Sequence, residues 1–194
     1  MSSNPFLDPA FEIAWSRHTP DQIAPAAESA LARAQSAIDA IAGRPVSEAT
    51  YANTFLALED ATEELGRVWG KVTHLQSVSD SPALRDAHNA MLPQVSAFYA
   101  KIPLNAALWE RLKAAAGTAE AGKLTGIHRR FLTETMEDFV QAGADLPADR
   151  RARLEAIQSE LAQITQKYSE NVLDATNAWQ LLVDDEAKLA GIPD

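Results

Sequence analysis

The 194-residue sequence contains no cysteine and only eight glycines. The absence of cysteine excludes disulfide frameworks, thiolate metal sites and thiol nucleophiles, and it is compatible with a reducing compartment. The few glycines form no Walker loop or dinucleotide-binding fingerprint, and there is no Gly-x-Ser-x-Gly elbow. The sequence therefore excludes nucleotide-binding, Rossmann and serine-hydrolase functions.

Long apolar runs and excess positive charge are also missing. No apolar segment approaches the roughly 20 residues that span a bilayer, and the amino terminus lacks the basic and apolar regions of a secretory signal. The net charge is −10, so phosphate backbones would be repelled. We therefore expect a cytoplasmic protein that binds neither membrane nor nucleic acid. The length suffices for one domain without a structural metal.

The four histidines, His18, His74, His88 and His128, form no metal-binding pattern. No two of them lie four residues apart, which excludes the His-Glu-x-x-His arrangement on a helix. None follows a glutamate at the spacing of the Glu-x-x-His motif of di-iron bundles. His88 falls on an apolar helical stripe, so we interpret it as a packed histidine. His74 lies off the main apolar row, which suits a local packing or hydrogen-bonding role. His18 and His128 have no visible partner.

Three pairs of carboxylates have the i,i+4 spacing of one helical face: Glu59 with Glu63, Asp60 with Glu64, and Glu134 with Asp138. Such pairs could hold a hard cation or perform acid–base chemistry. No neutral or basic residue is placed to complete a site, so we interpret these pairs as a solvated acidic surface. The sequence therefore predicts no catalytic, cofactor-binding or metal-ligating residue in this chain.

The sequence is rich in alanine, and its apolar residues recur at helical spacing. This pattern predicts an all-α fold, an up-and-down bundle of five to six helices. We expect an irregular N-terminal arm over residues 1–18, the bundle over residues 19–179, and a short extended or turn segment over residues 180–194. The predicted helices cover about residues 19–42, 47–78, 81–102, 105–116, 120–142 and 147–179.

Some expectations concern single helices. In the second helix, Gly66 and Gly70 are expected to let another helix approach closely. The residues of the fifth helix expected to face inward are Leu124, Ile127, Phe131 and Phe139. The sixth helix carries one apolar stripe, made of Leu154, Ile157, Leu161, Ile164, Tyr168 and Ala175. Most aromatic residues have core-compatible spacing, and a minority would form an apolar face that something outside the chain covers.

Several segments of the sequence are distinctive: the run Asn4-Pro5-Phe6-Leu7, residues 65–78 with 81–85, and residues 167–179 followed by 186–193. Together they resemble the thimet-type zinc oligopeptidases. The first run matches the opening of that family, residues 65–78 with 81–85 match its second and third helices, and the last segments match the part that leads out of its amino-terminal helical region. The resemblance covers nearly the whole chain. It favours the oligopeptidase A branch over the dipeptidyl carboxypeptidase branch.

The resemblance implies the non-catalytic amino-terminal domain of a zinc oligopeptidase. In that family the domain forms part of one lobe and of the channel wall that admits only short peptides. The parent enzyme would hydrolyse peptides through a zinc-bound water held by His-Glu-x-x-His and a later glutamate. Because that motif is absent here, we expect the zinc ligands beyond Asp194 and an inactive, metal-free chain. Its partner would be its own catalytic domain, and short peptides would bind the full enzyme.

The alternative hypothesis is a free-standing helical protein-binding module without enzymatic activity. If the chain belongs to a peptidase, the surface that contacts the catalytic part would be bare. We therefore expect an exposed apolar patch near the last long helix and Trp179. The run Gln180–Val183 is expected to be extended, and Asp184 or Asp185 to cap a final turn closed by Gly191 and Pro193.

Overall fold

The computed structural model describes residues 4–191, and within this range it contains six α-helices and no strand. The predicted all-α bundle is therefore confirmed. The helices are α1 (Ile23–Ala42), α2 (Ala57–Val78), α3 (Pro82–Leu104), α4 (Ala106–Ala116), α5 (Gly126–Gln141) and α6 (Ala148–Ala178). Short 3₁₀ turns connect or flank them at Pro5–Leu7, Trp15–Arg17, Pro20–Gln22, Val46–Glu48, Ala121–Lys123 and Glu186–Leu189. Pro193 lies outside the described residues.

Helix α1 is the centre of the bundle, because α2, α3 and α4 all pack against it. Its buried face is mostly alanine, and these small side chains bring the neighbouring helices close. Four residues of the second helical segment, spaced seven apart, are buried in the same core: Tyr51, Leu58, Leu65 and Val72. Packing of this kind follows from a seven-residue apolar repeat.

The N-terminal arm is fastened to α2 by Lys71. Its Nζ donates to the carbonyl oxygens of Pro5, Phe6 and Asp8, at 3.3, 3.2 and 2.7 Å. Burial lowers the pKa of Lys71, and the nearby Asp8 opposes this shift. A buried ammonium group needs such acceptors to replace its lost water. Phe6 is 1% exposed, so this part of the arm belongs to the core.

The residue that starts the arm makes two further contacts. The Asn4 side chain accepts from the backbone N–H of Phe6 at 3.0 Å, and it donates to the carbonyl oxygen of Gln22 at 2.8 Å. The first contact caps the Pro5–Leu7 turn. The second ties that turn to the start of α1. The Asn4-Pro5-Phe6 run therefore attaches the N-terminal arm to the bundle.

The second helical segment starts later than the sequence suggests. Instead of beginning near Ser47, it begins at Tyr51, after a 3₁₀ turn, and its first turns, Ala52–Leu56, are π-helical. The reason is a reciprocal cap, in which Thr50 Oγ1 accepts from the N–H of Asn53 and Asn53 Oδ1 accepts from the N–H of Thr50. Asn53 thus occupies the third position of the capping box, where glutamate or glutamine is usual.

The prediction for the fifth helix is wrong in two respects. A 3₁₀ turn occupies Ala121–Lys123, and α5 begins only at Gly126, whose φ of +55° prevents a continuous helix from Glu120. Ile127 is 77% exposed instead of facing inward. Phe139 is buried as predicted, Leu124 and Phe131 pack half-buried against the core, and Leu132 is buried in addition.

The close approach predicted at two glycines of α2 is not observed among the described residues. A Cβ at Gly66 would meet only the hydroxyl of Tyr99, at an ordinary 3.8 Å, and a Cβ at Gly70 would meet open space. Gly143 is the glycine that the fold requires, because its φ is +99° and a Cβ would lie 2.7 Å from Leu154. It turns the chain between α5 and α6.

Helices α3 and α4 begin where the sequence predicts, and a side chain caps each of them. Ser81 Oγ accepts from the N–H of Leu84 at 3.3 Å, and Asn105 Oδ1 accepts from the N–H of Leu108 at 3.0 Å. Helix α3 continues through Pro93, as predicted. Polar side chains that cap helices can therefore be predicted from the sequence where they follow the common capping pattern.

Replacing Lys71 with methionine should lower the free energy of unfolding by about 2 kcal/mol, because three buried carbonyl oxygens lose their donor while the side-chain volume is nearly kept. Urea unfolding followed by circular dichroism measures the change. Lys123→Met is the matched control, since Lys123 is exposed. Equal unfolding midpoints for the two variants would contradict the role of Lys71 in attaching the N-terminal arm to α2.

Candidate functional site

Helix α6 packs mainly against α3, and the side it turns toward α3 is polar. The one residue of this helix that is fully buried is a carboxylate, Glu170. Its Oε1 accepts from Asn89 Nδ2 at 2.6 Å and from Gln166 Nε2 at 3.3 Å. Burial alone would raise the pKa of Glu170, but the hydrogen bonds from Asn89 and Gln166 and the charges of Lys167 and Arg85 lower it below its ordinary value. The carboxylate therefore stays ionised at this contact.

His88 continues this polar network into the core. Its Nδ1 lies 3.1 Å from Asn89 Oδ1, and its ring stacks on Trp69 with the centroids 4.9 Å apart. The imidazole is 2% exposed. The interpretation of His88 as a packed histidine is confirmed, and its partner, Asn89, also holds Glu170.

Arg85 makes the second connection between α3 and α6. Its guanidinium donates to both carboxylate oxygens of Asp174, at 3.0 and 2.8 Å, and also to Asp80. The hydrogen bonds from Arg85 hold the pKa of Asp174 below its ordinary value. A planar guanidinium that binds a carboxylate through two parallel bonds fixes orientation as well as distance. Arg85 and Glu170 thus set how α6 is rotated on α3.

The apolar side of α6 faces solvent. We call its members the outer stripe: Ile157, Leu161, Ile164, Tyr168, Val172 and the following Trp179. All six are exposed, Tyr168 at 69% and Trp179 at 70%. With 3.6 residues per turn, the outer stripe is roughly 130° around the helix from the side that contacts α3. The apolar stripe predicted for this helix therefore exists, but from Ile157 onward it does not pack into the bundle.

The outer stripe continues past the end of α6. Leu181 and Leu182 are exposed, the latter at 89%, and Gln180–Val183 has no regular secondary structure. Asp185 Oδ1 then accepts from the N–H of Ala187 at 3.0 Å, which confirms the predicted cap. The predicted exposed apolar patch near the last helix and Trp179 is also confirmed. Isolated exposed leucines are common, whereas a continuous apolar row is typical of an interaction surface.

The remaining histidines have aromatic partners that the sequence did not reveal. His128 Nδ1 lies 3.2 Å from the hydroxyl of Tyr51. His18 and His74 both contact the ring of Trp15, with centroids 5.6 and 5.0 Å apart. The statement that His18 and His128 lack partners is therefore wrong. The contacts of His128 and His74 join residues distant in sequence, for which spacing along one helix carries no signal. Trp15 and His18 are neighbours around the 3₁₀ turn of the arm.

The acidic pairs are solvated, and arginines accompany one member of each. Glu64 binds Arg33 through two bonds, at 2.6 and 3.0 Å, and so links α2 to α1. Glu63 pairs with Arg67, and Glu134 with Arg130. Across residues 4–191, no three histidine, aspartate or glutamate side chains are grouped as metal ligands. None of the described helices is long and apolar enough to cross a membrane.

Residues 28–151 match the family model described as "Neurolysin/Thimet oligopeptidase, N-terminal domain". The match covers more than half of the chain. The chain belongs to this family. The resemblance of the sequence to the amino-terminal region of thimet-type oligopeptidases is thereby confirmed, and the matched residues run from within α1 to the beginning of α6.

Individual relatives extend the similarity to the whole chain. Oligopeptidase A of Escherichia coli is 31% identical over 193 residues, and oligopeptidase A of Haemophilus influenzae is 30% identical over 192 residues; each alignment covers 99% of this chain and 28% of the relative. The probable cytosolic oligopeptidase A of Arabidopsis thaliana is 26% identical over 197 residues, which are 100% of this chain and 27% of the relative. The chain therefore spans little more than a quarter of the relatives' length.

Acid should weaken the contact between α6 and α3 before it affects the core. The pKa values of Glu170 and Asp174 are lowered in the folded chain, so their stabilisation is present at neutral pH. It is lost as the pH falls from the ordinary values near 4.5 and 3.8 through the lowered ones. Hydrogen exchange, corrected for the intrinsic pH dependence, should show α6 amides losing protection ahead of α1 amides.

The control for this experiment is the double variant Glu170→Gln and Asp174→Asn. It removes the two carboxylates whose pKa values are lowered, so protection of α6 should be weaker at neutral pH and should change less with acid. Parallel loss of protection in α6 and α1 of the unmodified chain would contradict a separate acid-sensitive contact.

Proposed function

We propose that this chain is the non-catalytic N-terminal domain of a zinc-dependent oligopeptidase. The family match and the relatives' greater length support this proposal. The domain would form part of the lobe and channel wall that restrict access to short peptides. The parent enzyme would hydrolyse such peptides in the cytoplasm with a zinc-activated water. The zinc ligands would belong to the catalytic part, since residues 4–191 offer no comparable cluster.

The observation that carries the proposal is the outer stripe. A helix of an independent bundle normally buries its apolar side and exposes its polar side. In α6 the polar side meets α3 through Glu170 and Asp174, while the apolar side is exposed. This arrangement suits a helix that packs between the bundle on one side and a second domain on the other. We propose that the outer stripe packs against the catalytic domain and that residues 180–194 lead toward it.

The first test is the coding frame after Asp194. We expect it to continue into His-Glu-x-x-His and to yield a longer polypeptide that binds zinc and hydrolyses short peptides. The 194-residue chain should be free of zinc and inactive under the same conditions. Stoichiometric zinc or hydrolysis in the short chain would sink the proposal, and a stop codon after Asp194 would favour a free-standing binding module.

A second test compares the effect of outer-stripe substitutions in the two polypeptides. Leu161→Ser and Tyr168→Ser should change the unfolding free energy of the 194-residue chain by less than about 0.5 kcal/mol each, because both side chains are exposed. In the longer polypeptide each should cost at least about 2 kcal/mol, because the side chain would be buried. Thermal and urea unfolding measure both values.

Gln163→Ser is the matched control for these substitutions. Gln163 is exposed on α6 but lies outside the outer stripe, so its replacement reports only the change in helix propensity. The control should have a small effect in both polypeptides. If Leu161→Ser and Tyr168→Ser behave like Gln163→Ser in the longer polypeptide, the outer stripe does not contact the catalytic domain.

A further inference from the structure

Four residues of the outer stripe have the spacing of a helix that packs against another helix. They are separated by four, three and four residues, and we call them the seam: Ile157, Leu161, Ile164 and Tyr168. Steps that average about 3.5 residues are typical of a coiled coil, in which apolar side chains of one helix insert between those of its partner. All four side chains are exposed, Leu161 at 59% and Ile164 at 58%. The seam is therefore open to a second helix.

The bundle leaves room for a helix along the seam. Three half-buried residues lie on the side of α6 farthest from the seam: Ser159, Gln166 and Leu173. That side faces α3, the helix against which α6 mainly packs. A second helix can therefore lie on the seam without displacing α3.

A row of charged residues runs along one side of the seam. Its members are seven residues apart and alternate in sign, and we call them the charged row: Arg153, Glu160, Lys167 and Asp174. The first three are exposed, and the Asp174 side chain, although it binds Arg85, is still 54% exposed. The other side of the seam carries uncharged residues: Gln158, Thr165 and Val172. Charges beside a seam determine which partner a helix selects and in which direction the partner lies.

The charged row is complementary to a reversed copy of itself. In a two-fold symmetric pair of antiparallel α6 helices, the charged rows of the two copies run side by side in opposite directions. Because the signs along the row alternate and its two ends have opposite signs, each charge then meets its opposite. Arg153 of one copy meets Asp174 of the other, and Glu160 meets Lys167, and symmetry repeats each pair.

The register that pairs these charges also matches the seam. It places the two-fold axis between Leu161 and Ile164, so that each of these residues packs on the other across the interface. On either side of this centre, Ile157 packs on Tyr168. Asn171 takes the next position of the repeat, so the apolar contact extends over about three turns of each helix. A parallel pair would instead place the charged row beside the uncharged side of the seam, where no charge is compensated.

We propose that two copies of this chain associate through antiparallel α6 helices, with their seams packed together and their charged rows paired. Because one helix of each copy takes part, the interface belongs to the small and weak class, and we expect a Kd of about 100 µM. This proposal does not rest on the proposed function. In a longer polypeptide, the catalytic domain would compete for the same outer stripe and displace the second copy.

Sedimentation equilibrium of the 194-residue chain tests the association. The average mass should rise from nearly that of one chain at about 10 µM toward that of two chains at about 1 mM. Raising the salt concentration to about 1 M should weaken the dimer several-fold, because it screens the charge pairs. The mass of a single chain throughout this range would overturn the proposal.

Charge substitutions test the pairing of the charged rows. Glu160→Lys places like charges opposite each other twice in the dimer and should weaken it about tenfold. Adding Lys167→Glu restores opposite charges and should return the affinity to within about threefold of the original. Glu28→Lys makes the same change in net charge on α1, where Glu28 is exposed, and should leave the dimer unchanged. Equal weakening by Glu28→Lys and Glu160→Lys, or no recovery in the double variant, would overturn the pairing.

These variants must keep the contact between α6 and α3. Lys167 Nζ lies 3.7 Å from Glu170 Oε2 in the same copy, so Lys167→Glu also removes an attraction within the chain. Circular dichroism and urea unfolding at about 1 µM, where the chain is a monomer, show whether each variant is folded. If the double variant unfolds too readily, the cysteine experiment below decides the arrangement without a charge substitution.

Single cysteines report the direction of the two helices, since the chain has no cysteine of its own. In the antiparallel register, a mixture of the variants Ile157→Cys and Tyr168→Cys should form a disulfide between the two chains. Each variant alone should form it slowly, because equal positions then lie about 16 Å apart along the helices. Rapid disulfide formation by Ile157→Cys alone indicates a parallel pair and would overturn the proposal.

Failure of this proposal and failure of the proposed function are distinguishable. The mass and the disulfides of the 194-residue chain decide the proposal of a dimer, whereas zinc binding and hydrolysis by the longer polypeptide decide the proposed function. The unfolding measurements on outer-stripe variants are made at about 1 µM, at which concentration the weak dimer is dissociated. Neither set of results therefore depends on the other.

Discussion

The contact between α3 and α6 decides what the last long helix presents to its surroundings. Arg85 holds Asp174 through two bonds, and Asn89 holds Glu170, so α6 is oriented by charge and hydrogen bonding. With its polar side engaged, the helix cannot also turn the outer stripe into the bundle. Every interpretation of the exposed surface, including its assignment to a catalytic domain, depends on these two carboxylates. The same polar contact extends through His88 to Trp69, and so reaches the core.

Much of the fold could be predicted because helix ends and helix periods are local signals. Ser81 and Asn105 cap their helices with the side chains that the pattern suggests, and Gly143 adopts the positive φ typical of a turn after a helix. The misplaced ends have equally local causes. Thr50 and Asn53 form a less common version of the capping box, and Gly126 interrupts the helix with a positive φ.

What the sequence could not disclose is which side of each helix meets the bundle. Periodicity identifies a stripe, but burial of the stripe requires a partner. In α6 the buried carboxylate Glu170 finds its donor, Asn89, 81 residues away. The attachment of the N-terminal arm could not be predicted either. Nothing in the sequence distinguishes Lys71 from a surface lysine, because its three carbonyl acceptors lie in the arm, far away along the chain. The contact of Trp15 with His74 was equally hidden.

The polar character of the α3–α6 contact also has a thermal consequence. Unfolding raises the heat capacity mainly through the apolar surface that it exposes, whereas exposure of polar groups lowers it. On the α6 side, separation from α3 exposes Glu170, the one fully buried residue of that helix, together with the half-buried Gln166. Its contribution to the heat capacity of unfolding is therefore small, and the curvature of the stability profile belongs to the core around α1. Cooling, which weakens apolar packing, would spare the attachment of α6.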